Sequence, residues 1–249
     1  FGAAIGVTGD YLDRASALVF AGASILCVDV AHGHHILVKE ALTELRKLFG
    51  DRIHIMAGNV TTREGFNDLA DWGADSIRCN IGGGSICTTR IQTGHGIPGL
   101  QTIMDCAKSD RDALIIADGG LKTSGDITKA IAAGADLVML GSLLSGTDES
   151  PGEVISSVDN PSIKYKRYRG MASKAAQEDW KGTFSSLEGV SSTVPYKGAV
   201  VNVLDDLLRG LRSGLSYSGC RSISEFHSKA RFVRQTAAGQ VESSAHINR

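Results

Sequence analysis

The 249-residue chain lacks the long apolar runs, signal-like start and one-sided charge of membrane, secreted and nucleic-acid-binding proteins. No apolar run comes near the ~18 residues of a membrane-spanning helix, and the first residues do not have the layout of a signal peptide. Basic and acidic residues number 26 and 27, are spread along the chain and leave a net charge of −1. This balance argues against a nucleic-acid surface or an acidic tail. We therefore expect a soluble, cytosolic (cytoplasmic) protein.

The chain also contains few prolines, and its number of cysteines is odd. Its 5 cysteines lie in unrelated contexts, which argues against a disulfide framework and fits a reducing compartment. Only 4 prolines stand against 30 glycines, a balance that fits a fold with many tight junctions between strands and helices. With 42% hydrophobic residues the chain can bury one large core, and α/β barrels of this length are commonly single domains. We expect residues 1–249 to form one domain.

Apolar runs alternate with segments of helical periodicity along the first 145 residues. A junction of glycine, alanine and a small polar residue recurs, and its glycine can end a helix before a turn into a nearly continuous apolar strand. This repeated βα pattern predicts a parallel sheet. The predicted strands are 2–7, 25–30, 53–60, 76–81, 113–118 and 137–141; the predicted helices include 10–21, 36–49, 61–73 (capped by Thr61 or Thr62), 199–211 and 223–231.

Polar or glycine-rich residues follow four of these strands, namely Asp29, Asn59, Ser85 with Cys87, and Asp118 with Gly119 and Gly120. Reactive residues at the carboxyl ends of successive parallel strands are typical of a (β/α)8 barrel, or TIM barrel. Six strands are two short of closure, and an open six-stranded α/β sheet is the structural alternative. Residues 146–198 show no sustained periodicity, so we expect an irregular, mobile or functional insertion there that contacts the nucleotide. Residues 233–249 form a polar tail.

Residues 76–96 carry the strongest chemical signal. Three consecutive glycines, Gly82 to Gly84, precede Ser85, Cys87 and the segment 88–90, Thr-Thr-Arg. Glycines in a row suit a loop whose backbone approaches a ligand closely. A cysteine among hydroxyls, backbone donors and an arginine is placed where a thiol can be ionised and used as a nucleophile. The alternative is a glycine-rich turn with a buried, inert cysteine.

Three motifs carry a resemblance to a known family: GGGSICTTR at 82–90, DGG at 118–120 and LGS at 140–142. Together they closely resemble the inosine monophosphate dehydrogenase/guanosine monophosphate reductase family. The resemblance implies a barrel of which this chain holds strands three to eight, with ~80–100 residues (two βα units) either not included in the sequence or belonging to a separate chain. It also implies a homotetramer in purine metabolism.

A nucleoside monophosphate needs backbone N–H groups around its dianion, and glycine turns supply them. By resemblance Cys87 attacks C2 of the purine, while Thr89 and Glu188 share the proton transfers. The other residues that the resemblance assigns to the substrate are Ser85, Gly119, Gly120, Gly141, Ser142 and Tyr168 at the phosphate, Asp118 at the ribose, and Gly170, Met171 and Glu188 at the purine.

A nicotinamide cofactor, NADPH or NAD, is implied in the same way, with Asp29, Asn59 and Arg90 as its contacts. No G-x-G-x-x-G occurs, which argues against a Rossmann site. The cluster His32 to His35 has no partner at zinc-ligand spacing, which argues against a metal there. The family's potassium loop corresponds to the carbonyls of Gly82, Gly84 and Cys87, which residues 242–244 of a neighbouring subunit would complete.

The choice between the two enzymes depends on residues 172–187, which contain neither arginine nor tyrosine. The dehydrogenases carry an arginine-tyrosine pair there to activate water, so its absence favours the reductase, as does the triplet Asp29-Val30-Ala31. His32-Gly33-His34 and the Glu242 tail are dehydrogenase-like. Asn80 and Gly83 depart from the glycine and proline of the family, which leaves open a nucleotide-binding regulator without turnover.

Overall fold

Six parallel strands form the main sheet and lie side by side in the order in which they occur along the chain. The computed structural model describes residues 1–184 and 187–245, so positions 185–186 of the interval 172–187 and the last four residues of the tail lie outside it. Each strand pairs in parallel with the next. The strands are β1 (Gly2–Ile5), β2 (Ile25–Asp29), β3 (His54–Val60), β4 (Ser76–Cys79), β5 (Leu114–Asp118) and β6 (Leu137–Met139).

This strand order argues against a doubly wound sheet. A doubly wound sheet reverses its order at a switch point, whereas here every new strand is added on the same side of the previous one. The result is a parallel α/β sheet that curls in the manner of half a barrel. All six predicted strands are confirmed, although β4 ends at Cys79 rather than at Ile81, since Asn80 follows with a φ of 125°.

The helices alternate with the strands of this sheet and continue beyond it. Thr62 caps α3 by accepting a hydrogen bond from the Gly65 N–H at 3.1 Å, which confirms the second of the two predicted caps. The helices are α1 (Tyr11–Phe20), α2 (Ile36–Phe49), α3 (Arg63–Asp71), α4 (Thr89–Thr93), α5 (Gly99–Cys106), α6 (Ser124–Ala132), α7 (Lys174–Lys181), α8 (Val200–Tyr217), α9 (Ile223–Lys229) and α10 (Ala237–Glu242).

The core lies between the sheet and its helices. Leu26, Ile55 and Ile77 are fully buried on neighbouring strands, and Leu42 and Phe66 cover them from α2 and α3. Full burial of each such side chain stabilises the fold by roughly 1.5–3 kcal/mol. This packing holds the carboxyl ends of the strands, where the polar residues lie, in a fixed relation to one another.

The prediction of irregular structure at 146–198 was wrong. The segment holds a three-stranded antiparallel sheet, made of β7 (Val154–Ser156), β8 (Lys164–Arg169) and β9 (Ser191–Pro195), together with α7. Its central strand is basic, and its one buried side chain is Lys166, whose ammonium donates to the carbonyls of Thr147 at 2.9 Å and Ser150 at 2.6 Å. The other residues of this strand are exposed or half-buried, and its one buried side chain is charged, so hydrophobic periodicity could not reveal it. Among the described residues, no helix is both long and apolar enough to cross a membrane.

Candidate active site

The loop after β4 brings Cys87 to the carboxyl edge of the sheet. Gly82 has a φ of 71°, and a Cβ there would lie 2.6 Å from the Arg90 Cγ, so the position requires glycine. The Arg90 guanidinium donates to the carbonyls of Ile81 at 2.9 Å and Ile97 at 2.7 Å. Arg90 therefore clamps its own loop, and its predicted contact with a cofactor stays a prediction.

Cys87, Thr89 and Glu188 form a continuous hydrogen-bonded chain. The Cys87 Sγ lies 3.1 Å from the Thr89 Oγ1, which donates to the Glu188 Oε2 at 2.7 Å. Thr89 is buried, whereas Cys87 and Glu188 are partly exposed. A thiol, a hydroxyl and a carboxylate in this order can ionise the sulfur or carry a proton to and from a group bonded to it. The structure thus brings together the three predicted catalytic residues.

Backbone pairing explains how Glu188 reaches a loop 99 residues earlier in the chain. Cys87 and Gly189 form an antiparallel bridge, in which the Thr88 N–H donates to the Glu188 carbonyl at 2.8 Å. The Val190 N–H donates to the Ile86 carbonyl at 3.0 Å. The segment that leads into β9 therefore sets the position of the carboxylate relative to the thiol.

Arg78 is a buried cation that sequence reasoning missed. It lies on β4, its side chain is 9% exposed, and it donates to the carboxylates of Asp29 at 2.6 Å and Asp118 at 3.2 Å. It also donates to the Asn59 side chain and, at 3.0 Å, to the Cys27 sulfur. Burial acts to lower the pKa of Arg78, but the nearby carboxylates outweigh it and hold that pKa above its ordinary value. A charged residue inside an otherwise buried strand was the signal that could have identified it.

This network orients three residues that were predicted to bind the cofactor or the ribose. The Asn59 Nδ2 donates to the Asp118 Oδ2 at 2.8 Å, while Arg78 holds the Asp29 Oδ1 and the same Asp118 oxygen. Asp29, Asn59 and Asp118 are thus arranged around a single guanidinium at the carboxyl ends of three strands.

A cavity of ≈ 530 Å³ opens between this network and the hydrogen-bonded chain of Cys87, Thr89 and Glu188. Ligand sites for small molecules have volumes of about 300–1,000 Å³, so this cavity is large enough for a small-molecule ligand. Gln177 on α7, which is 5% exposed, also faces it and was missed by sequence reasoning. The predicted residues that line it are Asp29, Asn59, Gly82, Gly84, Cys87, Thr89, Asp118, Met171 and Glu188.

The glycines predicted to surround a phosphate fall into two groups. Gly119 and Gly120 have φ values of 77° and 78°, and a Cβ on Gly119 would lie 3.0 Å from the Gly84 N. A Cβ on Gly141 would lie 3.1 Å from the Tyr168 hydroxyl, so these two predicted residues are neighbours. As the described residues define it, the lining of the cavity does not include Ser85, Gly119, Gly120, Arg90, Gly141, Ser142, Tyr168 or Gly170.

Lys197 fixes the turn that contains Ser142. Its ammonium donates to the carbonyls of Ser142 at 2.9 Å and Leu143 at 2.7 Å. Burial lowers the pKa of this lysine. Sequence reasoning missed it, because neither its spacing nor its neighbours distinguish it from a surface lysine.

Two histidines of the segment 32–35, His34 and His35, have hydrogen-bond partners within the protein. The His34 Nε2 lies 2.7 Å from the Asp68 Oδ2, and the His35 Nδ1 accepts a hydrogen bond from the Leu37 N–H at 3.2 Å as the cap of α2. Within the part of the chain that the structure describes, no group of three or more histidine, cysteine or acidic side chains is arranged to hold a metal ion.

A curled parallel α/β sheet with a thiol, a hydroxyl and a carboxylate in contact beyond its carboxyl edge is typical of α/β enzymes of the barrel class, and it offers a candidate cysteine nucleophile. The chain belongs to the IMP dehydrogenase/GMP reductase family: the model of the "IMP dehydrogenase / GMP reductase domain" matches residues 1–246. Members of this family are oxidoreductases of purine metabolism, and the resemblance inferred from the three motifs is confirmed.

IMP dehydrogenases and GMP reductases are similar to the chain at nearly the same sequence identity. An inosine-5'-monophosphate dehydrogenase of Nitrosopumilus maritimus is 46% identical over 98% of this chain and 54% of its own length. A GMP reductase of Leishmania major is 47% identical over 98% of this chain and 52% of its own length. The chain thus spans about half the length of these relatives. Identity alone does not separate the two activities.

A solved structure has the same fold. The crystal structure of a GMP reductase variant from Trypanosoma brucei, in complex with guanosine 5'-monophosphate, matches with a TM-score of 0.92 and 46% identity. The match covers 98% of this chain and 52% of that one. The parallel sheet and the antiparallel insertion are therefore features that the chain shares with a nucleotide-bound protein.

Proposed function

We propose that the protein is a GMP reductase, which converts GMP to IMP and ammonia with NADPH as the reductant. The observation that carries the proposal is the chain from Cys87 through Thr89 to Glu188, with distances of 3.1 Å and 2.7 Å. It provides a nucleophile for C2 of the purine and a path for a proton to the amino nitrogen on that carbon. The lack of arginine and tyrosine at 172–187 adds support, since the pair that activates water in the dehydrogenases is missing there.

Cys87 is the nucleophile of the proposed reaction. Its sulfur bonds to C2 of the guanine ring, and the bond from C2 to the amino nitrogen then breaks. Glu188 supplies a proton through the Thr89 hydroxyl, so the nitrogen leaves as ammonia. When bound at the Asp29 side of the cavity, NADPH supplies two electrons as hydride to C2. The sulfur–carbon bond finally breaks, which returns the Cys87 thiolate and releases IMP.

The remaining residues of the site bind and orient the substrate and the cofactor. Asp118, fixed by Asn59 and Arg78, accepts from the ribose hydroxyls. The phosphate contacts Ser85, Gly119, Gly120, Gly141, Ser142 and Tyr168, and the purine contacts Gly170 and Met171. The Asp29 side chain is 44% exposed, which leaves room for a ribose hydroxyl of the cofactor to donate to it.

Potassium and assembly belong to the same proposal. The Gly84 carbonyl accepts from the Cys87 N–H at 3.1 Å, and a carbonyl oxygen has a second lone pair for a cation. Carbonyls of Gly82, Gly84 and Cys87 would bind potassium, with residues 242–244 of a neighbouring subunit in a homotetramer. A potassium-dependent rate and a tetrameric mass in solution are the expected results.

One assay on a single sample tests the proposed reaction. Incubation with GMP and NADPH should release ammonia and form IMP. The Cys87→Ala variant should lose this turnover and still bind GMP, because the binding residues do not require the thiol. Full activity of that variant would reject covalent catalysis.

The second candidate is an IMP dehydrogenase, which oxidises IMP to XMP with NAD. His32-Gly33-His34 and the Glu242 tail favour it. Formation of XMP from IMP and NAD, without ammonia release from GMP, would replace the reductase proposal. Tight nucleotide binding without turnover in either assay would select a regulator.

A further inference from the structure

Asn80 is the residue that connects β4 to the loop that carries Cys87. It is 5% exposed, and its backbone has a φ of 125°, a value that residues other than glycine rarely adopt. Its N–H donates to the Val60 carbonyl at 2.8 Å, and its own carbonyl accepts from the Asn59 Nδ2 at 2.7 Å. The backbone of Asn80 is therefore held by the neighbouring strand β3.

The side chain of Asn80 joins two parts of the site. Its Nδ2 donates to the Asp118 carbonyl at 2.9 Å, at the end of β5. Its Oδ1 accepts from the Arg90 Nη2 at 2.9 Å, and Arg90 clamps the nucleophile loop. One buried amide thus links the loop to the residue proposed to hold the ribose.

Two glycines surround this amide and leave it room. A Cβ on Gly83 would lie 1.9 Å from the Asn80 Nδ2, and a Cβ on Gly99 would lie 2.9 Å from the same atom. Neither glycine has a positive φ, so the backbone conformation does not demand glycine at these two positions. Lack of space demands glycine at both positions, because a side chain at either one would have to displace the Asn80 amide, which makes hydrogen bonds to Asp118 and Arg90.

We propose that Asn80 is a positioning residue, which fastens the nucleophile loop to the Asp118 turn, and that Gly83 and Gly99 are glycines because the Asn80 amide occupies their side-chain space. The inference rests on the proposed nucleotide binding and deepens it: Asn80 sets the distance between the Cys87 sulfur and a purine whose ribose is held by Asp118. Asn80 itself contacts no reacting atom.

The direct test is a double-mutant cycle of Asn80→Gly and Gly83→Ala. Glycine at position 80 accepts the positive φ, so this variant removes the link without straining the backbone. Two readouts are independent of turnover: the rate at which iodoacetamide alkylates Cys87, and the affinity for GMP and IMP by calorimetry. Gly125→Ala in the first turn of α6 is the matched control, since a Cβ there would meet its nearest atom at 3.6 Å.

Each single variant should lower GMP affinity about 10-fold and change the Cys87 alkylation rate, since two hydrogen bonds, one of them to a charged group, are lost. Gly83→Ala should have no further effect in the Asn80→Gly background. The control should match the wild type, and thermal unfolding should show all variants folded. A general destabilisation of the fold would not make the effect of Gly83→Ala depend on whether Asn80 is present.

The outcomes separate this inference from the proposed function. A wild-type protein that binds neither nucleotide refutes the proposed function, while the alkylation cycle alone still tests the link. Equal effects of Gly83→Ala in both backgrounds, or wild-type behaviour of Asn80→Gly, would overturn the inference even if nucleotide binding is found.

Discussion

Replacement of Arg78 by methionine should destabilise the protein far more than the same change at a surface arginine. The Arg78 side chain is 9% exposed and forms ion pairs with both Asp29 and Asp118, whose side chains are 44% and 20% exposed. Removal of one partner of a buried ion pair costs about 3–5 kcal/mol, because the other charge stays buried and unpaired. Since Asp29 can still be hydrated, we expect about 3 kcal/mol, at the low end of that range.

Arg111 provides the matched control. It binds Asp71 through two hydrogen bonds, of 2.7 Å and 2.9 Å, but its side chain is 38% exposed. Exposed pairs contribute about 0–1 kcal/mol, so Arg111→Met should have little effect. The two arginines thus differ mainly in burial and not in the type of partner.

Urea and thermal unfolding, followed by circular dichroism, measure both variants. A loss of about 3 kcal/mol corresponds to a fall in Tm of roughly 6–12 °C for a chain of this size. Addition of Asp118→Asn to Arg78→Met should recover part of the loss, because it removes the unpaired charge. If Arg78→Met costs no more than Arg111→Met, the network does not contribute to stability and the reasoning from burial is refuted.

Three further predictions concern catalysis, thiol reactivity and local stability. Thr89→Val should lower turnover about 100-fold and leave GMP affinity within a factor of about two, since it interrupts proton transfer only; unchanged turnover would contradict the proposed proton path. Burial raises the pKa of Cys27, so at any given pH its thiolate fraction is below that of an ordinary thiol. Peptide mass spectrometry should therefore find iodoacetamide on Cys87 before Cys27, and the reverse order would count against the placement of these two thiols. Thr62→Ala should lower the free energy of unfolding by about 1 kcal/mol through loss of the α3 cap, whereas Thr61→Ala should change it little; equal effects would show that the cap does not matter.

Local patterns were sufficient for the parallel sheet and for the loop after β4. Runs of apolar residues and junction glycines predicted six strands, and each strand is present within a few residues of its predicted bounds. Those patterns work because buried parallel strands are apolar on both faces. The glycine-rich stretch before Cys87 could likewise be interpreted from its own residues, since close backbone approach and a nucleophilic thiol are local properties.

Other parts of the site depend on contacts between distant segments. Glu188 lies next to Thr89 only because the backbone around Gly189, inside the insertion, pairs antiparallel with the loop after β4, and from the residues alone it was a loop carboxylate. The basic strand β8 and the buried Lys166 lack the apolar pattern that predicts a sheet. Arg78 is another such case, since its four partners come from β2, β3 and β5.

The sequence by itself determined the six parallel strands and their order, because strand, helix and turn preferences act between residues a few positions apart. The tertiary structure decided which charges meet. Asp29, Asn59, Arg78 and Asp118 are separated by up to 89 positions and come together only at the edge of a packed sheet. Burial there makes their mutual attraction strong, and no local pattern carries that information.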